Sequence, residues 1–317
     1  MKILVTPTSF RKEENRAARE RLEAFADEVV YNDLGRPLQS GEVLARLDGV
    51  DGYLAGLDCI TAEVVERAPE SLKVISRYGA GVDRVDLDAC RARGITVTNT
   101  PGTNATAVCE LAFCLMLCAA RNVPALSEAV QRGQWPRSQG VELSGKTLGI
   151  VGLGAIGKKL ALRARAFGME VLAYDPCFDA AFAADNGVER STLDEVLRRA
   201  HVISLHVPLT EETRHLIDGG RIAAMRDGAI LVNTARGGLI DEEAAAQALV
   251  SGKLGGLGLD AFEVEPPTCS PLFGLDRAVF TPHTGAHTAE AVEAMGTMAV
   301  DDLIAVLIGA PCVHICS

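Results

Sequence analysis

Six residues near the middle of the chain, Gly152-Leu153-Gly154-Ala155-Ile156-Gly157, have the spacing that lets a polypeptide approach a pyrophosphate. In this G-x-G-x-x-G pattern the first glycine permits a tight turn, the second brings the main chain up to the phosphates, and the third lets a helix pack closely on a strand. The N-terminal N–H groups of that helix then face the phosphate charge. The pattern carries weight only between a strand and a helix. Leu148-Gly149-Ile150-Val151 supplies the strand, and Lys158 to Phe167, with Leu160, Ala164 and Phe167 at helical spacing, supplies the helix. A second strand, Val171-Leu172-Ala173-Tyr174, ends at Asp175, where a carboxylate can accept hydrogen bonds from the adenosine ribose. That charge repels a 2′-phosphate, and Pro176-Cys177-Phe178 bring no arginine to offset it, so the pattern predicts NAD rather than NADP.

Three further residues could do chemistry on a small acid. Arg236 follows the apolar run Ile230–Asn233, in Val-Asn-Thr-Ala-Arg-Gly-Gly-Leu-Ile-Asp, and His283 follows Val279–Thr281, in Thr-Pro-His-Thr-Gly-Ala. Glu265 lies between them, in Leu-Asp-Ala-Phe-Glu-Val-Glu-Pro-Pro. Hydride transfer to a 2-keto acid needs a cation that fixes the carboxylate and polarises the carbonyl, and an acid that protonates the developing alkoxide. A rigid guanidinium meets the first need and an imidazole the second; a carboxylate beside the imidazole orients the ring and raises its pKa. Taken singly, Arg236 also reads as a surface ion pair, Glu265 as a solvated loop residue and His283 as a core histidine. Placed after a dinucleotide-binding turn, the three together read as an acid–base site.

Such residues need strand ends to hold them. Up to about residue 100, short β-branched runs (Ile3–Val5, Val29–Tyr31, Tyr53–Ala55, Val74–Ser76, Ile95–Val97) alternate with amphipathic stretches, which predicts a parallel sheet covered by helices. An apolar stretch from Thr106 to Ala120 reads as a buried linking helix. A second alternation runs from Thr147 through Val171–Tyr174, Val202–Val207, Ile230–Asn233 and Leu257–Leu259 to Val279–Thr281, and a helical pattern from Thr288 to Ile308 closes the chain. The predicted class is α/β, with two doubly wound parallel-sheet units and room in 317 residues for both.

Composition narrows the partners. A formal net charge of −11 argues against nucleic acid or an anionic membrane, both of which need a positive surface. The apolar stretches fall short of the roughly 18 residues of a membrane span, and Met1-Lys2-Ile3-Leu4-Val5 runs into polar residues before a signal-peptide core can form. A cytoplasmic protein is expected. Its nine cysteines are then reduced, and Cys312 and Cys316 flank His314 without the C-x-x-C pair that zinc favours, so no metal is expected.

With these residues in view, the sequence resembles the D-isomer-specific 2-hydroxyacid dehydrogenase family over nearly the whole chain, most closely from Val74 to Ala286. The resemblance implies a flavodoxin-like substrate domain, residues 1–100 plus 285–317, into which a Rossmann NAD domain, residues 101–284, is inserted. It implies a homodimer through the NAD domain, with the linking helix and the Trp135 region in the contact. It makes Arg236 the substrate-binding cation, His283 the general acid or base and Glu265 its partner. It also places Asp260, Thr234 and Ala235 on the nicotinamide side and His206-Val207-Pro208 on the adenine side, and it groups Arg236, His283 and Ala286 with the cofactor-binding residues. Arg77-Tyr78-Gly79-Ala80-Gly81 resembles the family's substrate loop, in which the N–H groups of Ala80 and Gly81 would hold a carboxylate.

Within the family the sequence looks most like a short 3-phosphoglycerate dehydrogenase, judging by Gly79–Asp86, Asn99-Thr100-Pro101 and Asn233–Asp241. It departs from that pattern at Leu54-Ala55-Gly56-Leu57, where many phosphoglycerate enzymes carry an arginine for the substrate phosphate; Arg77 and Arg84 are the cations that could replace it. The chain stops at Ser317, without the regulatory domain of some relatives, so no serine feedback site is expected. Glyoxylate or hydroxypyruvate reduction is the alternative activity, and an NAD-sensing corepressor-like scaffold the alternative class.

Overall fold

The computed structural model describes residues 1–316. The chain divides into two compact units, the first made of Met1–Asn104 with the segment from Ala286 onward, the second of Ala105–Gly285.

In the first unit five strands, β1 (Lys2–Val5), β2 (Glu28–Tyr31), β3 (Gly52–Ala55), β4 (Val74–Arg77) and β5 (Thr96–Thr98), form a sheet in the order β2-β1-β3-β4-β5, every pair parallel. This is the 2-1-3-4-5 order of flavodoxin-like sheets. Parallel strands are buried on both faces and so read as continuous apolar runs; Ile3, Leu4 and Val5 are at most 1% exposed. One face carries the C-terminal helix Ala289–Leu307, whose Met295, Ala299, Val300 and Leu303 pack with Ala18, Leu22, Ile3 and Val5. The other face is covered by Val43, Leu47, Val64, Val65 and Cys90. After that helix the chain runs back along β5: Ile315 bridges Thr98 in antiparallel fashion, and the Cys316 N–H donates to the Val97 carbonyl at 2.7 Å. His314 Nδ1, 2.9 Å from an Asp302 carboxylate oxygen, ties this segment to the helix.

The second unit holds a seven-stranded parallel sheet. Its strands are β6 (Thr147–Val151), β7 (Glu170–Tyr174), β8 (Val188–Arg190), β9 (Val202–Leu205), β10 (Ala229–Asn233), β11 (Leu254–Leu259) and β12 (Ala278–Phe280), in the order β12-β11-β10-β9-β6-β7-β8. Numbered from β6, this is the dinucleotide-binding order 3-2-1-4-5-6 with one strand added beyond the sixth. The apolar stretch after Asn104 is a helix, Ala105–Arg121, with Cys109, Ala112, Leu115 and Met116 buried against Leu148, Ile150, Ile230 and Val232. Asn122, at φ +53°, breaks it from a second helix, Val123–Gln131, which buries none of its residues. No single helix among the described residues is long and apolar enough to cross a membrane. The sequence reading did not anticipate β8, a three-residue edge strand in which only Val188 is buried.

Candidate active site

In open α/β sheets a ligand sits beyond the carboxyl ends of the strands, where the strand order reverses. In the second unit that point lies between β6 and β9. The loop after β6 is the glycine turn. Gly152 takes φ +102°, and a β-carbon there would stand 2.5 Å from the His206 carbonyl oxygen, at the end of β9. A β-carbon at Gly157 would stand 2.1 Å from the Gly152 carbonyl oxygen, so both positions exclude any larger residue. Beside Gly154, in contrast, such an atom would meet nothing within 4 Å. Gly154 is also the N-cap of the helix Ala155–Ala166, with no side chain capping it, so the first N–H groups, on Ala155, Ile156 and Gly157, open toward that space.

Asp175 stands at the end of β7. Its Oδ2 accepts the Leu153 N–H at 2.6 Å and its Oδ1 the Cys177 N–H at 2.7 Å, so the carboxylate braces the glycine turn. On the other side His206, followed by Val207 and Pro208, keeps Nε2 2.9 Å from Ser204 Oγ. Burial pushes its imidazole down to about 4, which leaves it neutral at pH 7. His206 Nδ1 and Thr234 Oγ1 are buried without a hydrogen-bond partner, each just past a strand end. Buried polar atoms are normally paired. An open glycine cradle, a carboxylate at the end of β7 and two orphaned polar atoms along the same edge fit a bound dinucleotide.

The loops after β10, β11 and β12, three neighbouring strands, carry the candidate chemistry. Beyond β10, Asn233 is wholly buried; its Oδ1 accepts the Ala235 N–H at 2.9 Å and its Nδ2 donates to the Arg236 carbonyl at 2.7 Å. The Thr234–Arg236 bend is thereby fixed, and the partly buried guanidinium of Arg236 donates to the Ala235 carbonyl at 2.8 Å. Beyond β11, Asp260 is 2% exposed and accepts from Thr281 Oγ1 at 2.6 Å, the Thr284 N–H at 2.8 Å and the Gly285 N–H at 2.8 Å. Its carbonyl accepts the His283 N–H at 2.9 Å. Asp260 therefore grips both sides of His283, whose backbone is left-handed at φ +52°. The His283 ring turns Nδ1 to Glu265, 2.9 Å from one carboxylate oxygen and 3.0 Å from the other. Glu265 is itself held by the Phe262 N–H at 3.2 Å. With Nδ1 so committed, Nε2 is the nitrogen that can exchange a proton with a substrate.

In the first unit the loop after β4 revises the expectation for two residues. Arg77 is 3% exposed and Tyr78 8%, and both side chains turn inward. The Tyr78 hydroxyl donates to the Val292 carbonyl at 3.0 Å and accepts from Asn15 Nδ2 at 3.0 Å. Arg77 serves main-chain carbonyls, those of Ala55 at the end of β3, at 2.9 Å, and of Gly81 in the loop, at 3.0 Å, among them. Both side chains are thus engaged by groups of the protein itself. Gly79 takes φ +144°, and the N–H groups of Ala80 and Gly81 enter no backbone hydrogen bond among the described residues. Ala286 lies in this unit as well, at the edge of the core formed with the C-terminal helix. Among the described residues no group of three His, Cys, Asp or Glu side chains could hold a metal ion.

Residues 113–285 match the family model described as D-isomer specific 2-hydroxyacid dehydrogenase, NAD binding domain. A D-3-phosphoglycerate dehydrogenase of Methanocaldococcus jannaschii is 48% identical over 287 residues, 89% of this chain and 55% of that protein. A hydroxypyruvate reductase of Thermotoga maritima is 48% identical over 249 residues, 77% of this chain and 80% of that one. The chain thus spans about half the length of the phosphoglycerate dehydrogenase (55%) and most of the reductase (80%). Among solved structures, the TT0316 protein of Thermus thermophilus superposes with a TM-score of 0.89 at 41% identity, covering 100% of both chains.

Proposed function

The chain belongs to the D-isomer specific 2-hydroxyacid dehydrogenase family, and from that premise we propose that it is an NAD-dependent oxidoreductase interconverting a small 2-keto acid and its D-2-hydroxy acid. The observation that carries this reading is the Glu265–His283 pair, on the loops of the two strands next to the one that carries Arg236, at the carboxyl edge of an NAD-binding sheet. The bound nicotinamide supplies or accepts the hydride. Arg236 binds the carboxylate and draws electron density from the adjoining carbonyl, a task suited to a planar guanidinium. His283 Nε2 gives the proton to the substrate oxygen in reduction and takes it back in oxidation, while Glu265 fixes the tautomer. Gly152–Gly157 and the start of the following helix hold the pyrophosphate and Asp175 the ribose. His206, Val207 and Pro208 line the adenine side, with Thr234, Ala235 and Asp260 on the nicotinamide side. In the first unit, the Ala80 and Gly81 N–H groups receive a carboxylate.

We also infer a homodimer in the cytoplasm, associating through the second unit. The exposed apolar residues Val123, Val130, Trp135 and Val141, clustered in one stretch of that unit, support this reading.

The deciding experiment is NADH oxidation by the purified protein across a panel of 2-keto acids that includes glyoxylate, hydroxypyruvate and 3-phosphohydroxypyruvate. Turnover of at least one is expected. Tight NADH binding without turnover of any would reject the enzyme in favour of a nucleotide-sensing scaffold. Within the panel, a hundredfold preference for the phosphorylated acid corresponds to about 2.7 kcal/mol of transition-state stabilisation and would require a cation in place of the arginine absent from Leu54–Leu57. Equal kcat/KM for the two hydroxypyruvates would reject the phosphoglycerate activity.

A further inference from the structure

The first unit buries two opposite charges that the proposed chemistry leaves unused. Asp58 is 1% exposed and Arg77 3%. A buried charge is costly unless paired and fully hydrogen-bonded. Asp58 Oδ2 accepts the Gly56 N–H at 3.0 Å, the Tyr53 hydroxyl at 2.9 Å and the Thr6 hydroxyl. Its Oδ1 accepts the Leu38 N–H at 2.6 Å. Arg77 Nη1 donates to the carbonyls of Ala55, at 2.9 Å, and Gly56, and its Nε donates to the Gly81 carbonyl at 3.0 Å. Gly56 is thus held from both ends, its N–H by the carboxylate and its carbonyl by the guanidinium. Gly56 links the two charged side chains.

The location gives this arrangement a task. In a 2-1-3-4-5 sheet the order reverses between β1 and β3, and the crevice between their loops is the usual ligand position. Here Thr6 and Asp58 join across it, and a β-carbon on Gly56 would come 3.1 Å from Pro7 Cα, so the two loops pack closely there. The neighbouring loop, after β4, offers the open groups instead. Its three successive carbonyls are each held: Gly79 by the Thr100 N–H at 3.1 Å, Ala80 by Asn99 Nδ2 at 2.7 Å, and Gly81 by Arg77. Carbonyls fixed in this way leave the Ala80 and Gly81 N–H groups as a small anion-binding nest, with a buried guanidinium behind it.

We infer that Asp58 and Arg77 act as one positioning unit, a buried carboxylate and guanidinium joined through Gly56, that keeps the Gly79–Gly81 turn shaped for an acid's carboxylate. The inference rests on the proposed reading of that turn as a carboxylate site. Its test uses the full-length protein with Asp58→Asn, Arg77→Gln, the double variant, and Tyr53→Phe as a milder change that removes one donor to Asp58. Amide exchange of residues 78–84 is followed by mass spectrometry, beside thermal stability, NADH affinity, and kcat and KM for the best keto acid.

Each folded single variant is expected to speed exchange in that segment and raise KM about tenfold, with kcat changed less than threefold and NADH affinity kept. The double variant, carrying no lone buried charge, is expected to melt above the sum of the two losses. If Asp58→Asn and Arg77→Gln do not fold, Tyr53→Phe is expected to show the exchange and KM effects at smaller size. Unchanged exchange in every folded variant, or strictly additive melting shifts in the cycle, would overturn the inference. Faster exchange with no change in KM would leave the turn positioned as described and refute its carboxylate role.

Discussion

Asn233 holds Arg236 by the main chain alone: its amide nitrogen lies 2.7 Å from the Arg236 carbonyl oxygen, while its amide oxygen takes the Ala235 N–H at 2.9 Å. The bend that carries the guanidinium is therefore fixed by a wholly buried residue. Asn233→Ala is expected to lower kcat/KM by about 10- to 100-fold through misplacement of Arg236, and to destabilise the fold by about 1–3 kcal/mol through the unpaired groups left behind. Steady-state kinetics at a temperature well below the melting transition separates the two effects. Full activity in a destabilised protein would show that Arg236 does not depend on this brace.

His283→Ala is expected to reduce kcat by about 10²–10⁴ with NADH binding retained, as for loss of a general acid. Glu265→Gln keeps the shape of the pair but removes its charge, and its kcat is expected to fall less than that of the histidine variant. Fluorescence titration with NADH, run beside turnover, checks both. Unchanged turnover in His283→Ala would remove the imidazole from the chemistry.

Asp175→Asn retains an acceptor for the Leu153 N–H but not the negative charge. The NADPH-to-NADH ratio of dissociation constants is expected to fall about tenfold, equivalent to about 1.4 kcal/mol of relieved repulsion. Titration with both cofactors measures it directly. A constant ratio would mean that discrimination arises elsewhere along the edge of β7.

His206 makes acid stability measurable. Its pKa, held at about 4 by burial, lies below the ordinary 6.5, so the unfolded chain binds the extra proton first as pH falls. Its contribution to stability is complete above pH 6.5 and is lost progressively between 6.5 and 4, with a limiting slope of about 1.4 kcal/mol per pH unit. Denaturant midpoints at pH 7 and pH 5 are expected to differ less in His206→Gln than in the parent. Identical differences would place the histidine in a solvated setting.

The sequence displays the fold readily because β1, β6 and β10 are continuous apolar runs ended by glycine or polar residues, and because the turn at Gly152 stands between a strand and a helix. β8 escaped for the opposite reason: Val-Glu-Arg is short and half solvated, so its pattern resembles a loop. The inward turn of Arg77 had no signal either. β4 is buried at all four positions, so alternation marks no outer face, and an arginine at its end looks the same whether it meets a ligand or the carbonyls beneath. The bracing by Asn233 and Asp260 was equally hidden, since one closes a segment read as a strand and the other directly follows one, and neither position shows which main-chain groups its side chain holds. Spacing shows where a loop begins but not which side chain is used to bend it.

The antiparallel bridge from Ile315 to Thr98 places the returning chain along the outer side of β5, the last strand of the first sheet. Uncovered, that margin would offer unpaired main-chain groups to any extended peptide, including a second molecule of the same protein. The Asp302–His314 contact thus works as a clasp on a protective selvage. Prising it open would expose that margin to pairing with a second molecule, leaving the sheet of the second unit untouched.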